Sequence, residues 1–447
     1  MRVLTIRIAL LIALSCAVWG VRALGTASNG HAPIAEAAAS ALAAGPSASQ
    51  ERSDVQETVR FLEAKVRADP EDASANNKLA GYHLQLLRET GSIGDLEAAL
   101  QAAHASLASV PVVRNADGVT ALALGEFASH DFSGARDRAR ALIRFDPSKS
   151  YPYAILGDAL VELGAYDEAA RAYRDMTRHS GGIDTNGEPR LARLAFLHGD
   201  STGAARHFTT ALSIAIHLSI PPRETIAWCQ WQLGETAFAE GRYDAAEQYD
   251  RDALASFPNY FRALGSLGRV RAARGDAPDA MVQYEAAIRR FPDPTYVAAL
   301  GDLYKLAGRD ADAAAQYALV EAIGHLSAVN GVLYNRQLAL FYADHDIKAG
   351  EAYADAKREY AVRRDVYGAD AVAWTALKAG RLTEARSAAR AALRLGTGDA
   401  RLLYHAGMIA RAAGDEPEAR DYLRRALALN PQFDPLQAPV ARAALDR

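Results

Sequence analysis

The chain has 447 residues, half of them hydrophobic by type, with 50 Lys and Arg against 54 Asp and Glu for a net charge of −4. That length is ample for a continuous core, and the negative balance gives no general attraction for the phosphates of nucleic acid. Beyond residue 27 a single cysteine, Cys229, remains, so that part of the chain has no internal disulfide and must be stabilised by packing.

In chain order, Arg2 and Arg7 precede Ile8 to Val21, an uncharged and mostly apolar run, and Gly25-Thr26-Ala27 then supplies small residues for cleavage. This layout predicts a signal peptide over residues 1–27, with an apolar run short for a spanning helix. The expected location is therefore outside the cytoplasm, periplasmic or extracellular. Left uncleaved, residues 8–24 would act as an anchor and form the only membrane contact. Cleavage removes Arg2, Arg7 and Arg22 and no acid, so the charge becomes −4 − 3 = −7. Residues 28–52, rich in Ala, Ser and Gly, read as a flexible linker. Ser53 to Ala68 reads as a lone helix with a capping box of Ser53 and Gln56, and with Val55, Val59, Leu62 and Val66 on one face.

Residues 53–435 are organised by a returning glycine. Gly164, Gly199, Gly241, Gly275, Gly308, Gly380 and Gly414 each close one helical pattern and precede another. The intervals from Gly241 to Gly275 and from Gly380 to Gly414 are 34 residues, from Gly164 to Gly199 it is 35, and from Gly275 to Gly308 it is 33. A fixed period of that size implies a helix-turn-helix solenoid. The clearest copies are FRALGSLGRVRAARGDAPDAMVQYEAAIRRFP from Phe261 and LLYHAGMIARAAGDEPEARDYLRRALALNP from Leu402. Each carries Leu followed by a small residue in the first helix, Ala then an apolar or aromatic residue in the second, and a closing Pro. The small residue (Gly157, Gly234, Gly268, Gly301 or Gly407) is expected where the two helices of a hairpin approach closely. The turn glycine supplies a left-handed cap, and the Pro ends the unit.

This pattern resembles the tetratricopeptide repeat. The resemblance implies an all-α, right-handed solenoid of roughly ten units, with first helices lining a concave groove that binds a partner protein or an extended peptide. Two stretches break the period. From Gly199 to Gly241 the interval is 42, and Ser213 to Trp231 reads as a long linker. From Gly308 to Gly380 it is 72, with no glycine at the middle turn. Near Leu79-Ala80 the segment from Arg88 to Glu97 reads as a lengthened turn. Residues 436–447, with Leu436, Val440, Ala444 and Leu445, read as a closing helix or tail.

The chain carries no H-E-x-x-H, C-x-x-C, G-x-S-x-G or P-loop motif, so no catalytic residue and no cofactor is assigned. Cys229 lies between two tryptophans with no base beside it and reads as a partly buried free thiol. Asp344-His345-Asp346 is the one cluster an alternative metal-dependent enzyme would use, although a solvated helix end explains it more simply. Projecting the repeat register places Trp228, Trp231, Glu235 and Phe238 in the groove, with Arg262 and Arg269 from the next unit, Tyr151 from an earlier one, and Arg401 and Tyr404 from the last complete one. Trp and Arg are enriched at binding hot spots, and Arg262 and Arg269, seven apart on one helix face, suit a carboxylate. WCQW equally suits core packing. Some members of the family clamp a peptide C-terminus with Lys, Asn and Arg, whereas the corresponding slots here hold Ala, Thr, Asp and Leu. The expected role is a non-catalytic scaffold, with an envelope spacer or oligomer as the alternative.

Overall fold

The computed structural model describes residues 31–43, 45–111, 114–329 and 335–446. The expected signal segment over residues 1–27, with the anchor reading of residues 8–24, lies outside them. Two helices come first, α1 (His31–Ala43) and α2 (Ala48–Ala68). Ten antiparallel hairpins follow. The first five are α3 (Ala73–Thr90) with α4 (Ile93–Ser109), α5 (Ala116–Ala128) with α6 (Phe132–Phe145), α7 (Tyr151–Glu162) with α8 (Tyr166–Ser180), α9 (Gly187–Leu197) with α10 (Ser201–Ile216), and α11 (Arg223–Ala239) with α12 (Tyr243–Ser256). The next five are α13 (Phe261–Ala273) with α14 (Ala277–Arg290), α15 (Pro294–Leu306) with α16 (Asp310–Val329), α17 (Asn335–Asp344) with α18 (Ala349–Val362), α19 (Val366–Lys378) with α20 (Leu382–Ala392), and α21 (Ala400–Ala412) with α22 (Glu416–Leu429). Helix α23 (Gln437–Leu445) covers the end, and no strand occurs among the described residues.

The hairpins form for the reasons the spacing implied. All seven returning glycines have φ between +68° and +82°, the left-handed region that L side chains rarely adopt. In three turns the residue after the glycine is an aspartate that caps the second helix. Asp200 accepts from Gly203 N at 2.7 Å, Asp415 from Glu418 N at 3.2 Å and Asp276 from Asp279 N at 3.3 Å. Within a hairpin, a Cβ on Gly301 would lie 2.5 Å from the Tyr317 ring, and one on Gly407 would lie 2.8 Å from Leu423. Gly157 meets Tyr173 and Gly268 meets Tyr284 in the same way, each sixteen residues further on. The core is accordingly a chain of small clusters between neighbouring hairpins, built largely of Ala.

Several expected boundaries are corrected. The Ala-rich stretch read as a linker contains α1, whose Ala38 and Leu42 are buried against α10. Arg223 fastens it, donating to Leu42 O at 2.6 Å and Pro46 O at 2.8 Å. Helix α2 begins before Ser53, with Ser47 as its cap instead of the expected box. The segment from Arg88 to Glu97 is no long turn: α3 runs to Thr90 and only two residues separate it from α4. Likewise, most of Ser213 to Trp231 is helical, leaving residues 217–222 as the connection. In α23 the buried face is Ala438, Ala441 and Ala444, while Val440 is exposed.

The ten hairpins wind far enough for the molecule to meet itself about 200 residues on. The turn of the third hairpin touches the loops on both sides of the ninth, where Tyr166 Oη accepts from Val366 N at 2.9 Å and Arg394 donates to Gly164 O at 3.0 Å. The turn of the fourth meets the loop between the ninth and tenth, where Thr397 Oγ donates to Leu197 O at 2.7 Å. The turn of the fifth meets the end of the tenth, where Asn430 Nδ2 donates to Phe238 O at 2.7 Å and Tyr243 Oη donates to Asn430 Oδ1 at 2.5 Å. The turn of the first lies against the Phe291 ring, which would stand 2.5 Å from a Cβ on Gly91. A seam of turns on loops thus closes the solenoid around a lumen.

Candidate binding lumen

The lumen is a cavity of about 740 Å³ walled mainly by the first helices of hairpins four to ten. Six of the nine residues projected onto the groove line it: Trp228, Trp231, Glu235, Phe238, Arg269 and Arg401. The other three do not. Tyr404 is only 3% exposed and packs in the core against Trp374 and Phe433. Tyr151, in the third hairpin, packs on Ala123 of the second and on Ile155 of its own helix. Arg262 lies over the Trp231 and Phe261 rings, 5.5 and 4.8 Å from their centroids.

Arg262 and Arg269 therefore do not form the open carboxylate pair their spacing suggested. The Tyr296 ring covers Gly265 between them, at a distance only a residue without Cβ permits. Arg269 turns to the lumen, its guanidinium 4.1 Å from the Phe238 ring centroid and ion-paired with Glu235. The two tryptophans are wall and core together. Trp228 packs edge-on to Phe208 at 5.7 Å and joins two core clusters, yet it lines the cavity. Trp231 is half-buried, and its indole N–H has no acceptor.

The polar part of the wall is built from arginines backed by acids. Arg193 and Arg363, from opposite sides of the seam, both pair with Glu162, which is 4% exposed. Burial opposes ionisation of Glu162, but the two guanidiniums outweigh it and hold its pKa at about 2. Arg401 pairs with Asp434 at 2.8 Å, and Arg336 with Glu359 at 2.9 Å and Asp365 at 2.7 Å. Behind the wall Asp250 is fully buried, and burial, with Glu235 beside it, holds its carboxyl well above the usual range.

The Asp-His-Asp cluster is brought to the same lumen, but not as a metal site or a solvated helix end. Asp344 is turned inward and accepts from Trp374 Nε1 at 2.8 Å and Gln437 Nε2 at 2.6 Å, and burial raises its pKa. His345 places Nε2 2.7 Å from Asp302 and Nδ1 2.7 Å from Phe341 O. Burial disfavours its charge, but Asp302 and the Phe341 carbonyl outweigh that and raise its pKa. Asp346 points out to Lys378 at 2.6 Å. The three side chains diverge, and among the described residues no group of three His, Cys, Asp or Glu could hold a metal ion. Cys229 is fully buried, and burial pushes its thiol up to about 12.

Arg193, Arg336, Arg363, Tyr296 and Asp434 line the lumen without having been singled out from sequence. For the four charged residues the signal was an arginine or acid on a first helix or a loop between helices, and for Tyr296 an aromatic on a first helix. Only closure of the seam turns that into one site.

This fold and chamber define an all-helical repeat solenoid of the protein-interaction class. Two models described as tetratricopeptide repeat match the chain, one over residues 120–182 and 371–432 and the other over 237–303. The chain carries tetratricopeptide repeats. No curated protein matches it in sequence. Among solved structures it is similar to PilW, a widely conserved type IV pilus biogenesis factor, at 18% identity and TM-score 0.39, over 46% of this chain and 92% of that one. It is also similar to a monomeric mutant of IFIT1 with Gppp-AAAA, at 13% identity and TM-score 0.47, over 79% and 71%. A tetratricopeptide repeat protein from Parabacteroides merdae matches at 14% identity and TM-score 0.39, over 55% and 93%. Among the described residues no helix is long and apolar enough to cross a membrane.

Proposed function

We propose that this chain is an exported, non-catalytic scaffold that holds a short segment of a partner protein inside its lumen. The carrying observation is convergence: the residues of both irregular stretches, Trp228 and Trp231 from one and Asp344 and His345 from the other, wall a single cavity. Its size falls in the range of about 300–1,000 Å³ typical of ligand sites. Its aromatic and arginine side chains are the types that dominate binding energy. The seam changes the expected mode from an extended peptide along an open groove to a segment enclosed by both sides of the ring. Arg2, Arg7 and the apolar run after them support export.

The test is cross-linking of the tagged protein in its native cell, identification of the captured partner, and titration of that partner's peptides against purified protein. The double variant Trp231→Ala, Arg269→Glu should lose capture while its helical circular dichroism is unchanged. Undiminished capture would refute the lumen as the site. Fractionation with N-terminal sequencing tests export, and a cytoplasmic chain that retains Met1 would refute it.

A further inference from the structure

The seam is unlike every other contact between hairpins. Neighbouring hairpins pack helix against helix, whereas across the seam single turns touch single loops and no helix lies along another. The bonds that cross it are single and polar, from Tyr166 to Val366, Arg394 to Gly164, Thr397 to Leu197, Asn430 to Phe238 and Tyr243, Gln432 to Tyr243, and Glu162 to Arg363, and Val366, Tyr367 and Leu395 add apolar packing on Tyr166 and Leu197. Separating them would leave each hairpin packed on its sequence neighbours. The seam is also where the lumen is closed, since Arg193, Trp231 and Phe238 stand on one side and Arg363, Tyr367 and Asp434 on the other. Small changes in stacking angle, spread over the roughly five hairpins between the two sides, suffice to part it, because a solenoid's curvature is the sum of per-repeat rotations.

We propose that the seam is a latch: the solenoid opens and recloses along the line where the turns of hairpins three to five meet the loops after hairpins eight to ten, and so admits an occupant to the lumen. Glu162 is its central tie, because it bonds Arg193 on its own side and Arg363 across the line. Asn430 is the tie at the far end, bonding both Phe238 O and Tyr243. This inference rests on the seam alone and holds whether or not the occupant is a peptide.

The experiment is a distance measurement by pulsed electron spin resonance on the full chain. Spin labels are placed at Asp167→Cys and Arg390→Cys, exposed positions close to the seam on its two sides. Cys16→Ser removes one native thiol, and buried Cys229, its thiol raised to about 12, stays unlabelled. The latch predicts a short closed distance with a longer component that grows severalfold in Glu162→Gln. Asn430→Ala, which leaves the buried arginines paired, should shift the balance in the same direction and serves if Glu162→Gln does not fold. The same short distribution in the parent and in the variants that fold would overturn the proposal. So would a parent showing only the long distance. Because no ligand enters this measurement, a failure here is distinguishable from failure of the lumen as a binding site.

Discussion

The returning glycines are chemically identical but structurally of two kinds, and a pair of alanine substitutions separates them. Gly199 and Gly308 have φ of +77° and +72°. An alanine at either position incurs the left-handed cost of about 1–2 kcal/mol, offset by the same gain of about 0.4–1 kcal/mol from a stiffer unfolded chain. Around Gly308 nothing lies within 4 Å of the added methyl, whereas at Gly199 it would stand 2.5 Å from the carbonyl oxygen of Gly396 across the seam. That oxygen is backbone and cannot rotate away, so the loop must retreat and take Thr397 with it. Losing the Thr397 bond to Leu197 O removes about 0.5–1.5 kcal/mol, and overpacking adds about 1–3 kcal/mol until the seam yields. Gly199→Ala should therefore lose about 1.5–4.5 kcal/mol more than Gly308→Ala. The assay is urea denaturation followed by helical circular dichroism, with amide exchange in residues 396–399 as the local readout. Equal losses with unchanged exchange would show that the seam is not formed in solution.

Two further predictions concern titrating groups. His345 has its pKa raised in the folded state above the usual 6.5, because Asp302 and the Phe341 carbonyl outweigh burial. Its contribution to stability is complete below about 6.5 and is lost as pH rises through the folded value, by at most about 1.4 kcal/mol per pH unit. Thermal melts from pH 6 upward should show this decline, and His345→Gln should abolish that component, whereas an unchanged slope would refute the assignment. Cys229, with its thiol at about 12 and no exposure, should resist a thiol reagent at pH 8 in the Cys16→Ser background and react fully in urea; rapid reaction of the folded protein would contradict its burial.

What could be read from the sequence was what depends on neighbours. The period of the glycines, the small residue sixteen positions before its packing partner and the closing proline are each local consequences of two helices meeting. They imply a solenoid of helical hairpins, which is the observed fold. Helix ends were less legible: the extra residues near Arg88 and after Ser213 went into longer helices, because an amphipathic helix that can bury another turn gains more than a loop does. The linker over residues 28–52 failed for a related reason. Alanine-rich sequence is an excellent helix former once it has a surface to pack on, and the surface, α10 with Arg223, lies far along the chain. Tyr404 and Arg262 failed because a projected register gives the face of a helix but not what a later hairpin lays over it.

The closure itself has no local signature, and it decides what the irregular stretches mean. Gly164, Gly199 and Gly241 look like Gly275, Gly308, Gly380 and Gly414 in sequence, yet in the first three a Cβ would meet the backbone of Arg364, Gly396 and Leu429, while the other four face open space. One physical requirement, positive φ, explains all seven; a second, close approach of a distant chain segment, applies to three. That second requirement is what sets the tryptophans of the fifth hairpin opposite the acids of the eighth and tenth. An open solenoid would present these as separate patches, each too sparse to hold a ligand. Closed, they become facing walls of one chamber, in which Glu162 and its two arginines join the sides chemically as well as sterically. Under the proposed function, specificity resides in the fit between the two halves, and seam substitutions outside the lumen wall should alter binding.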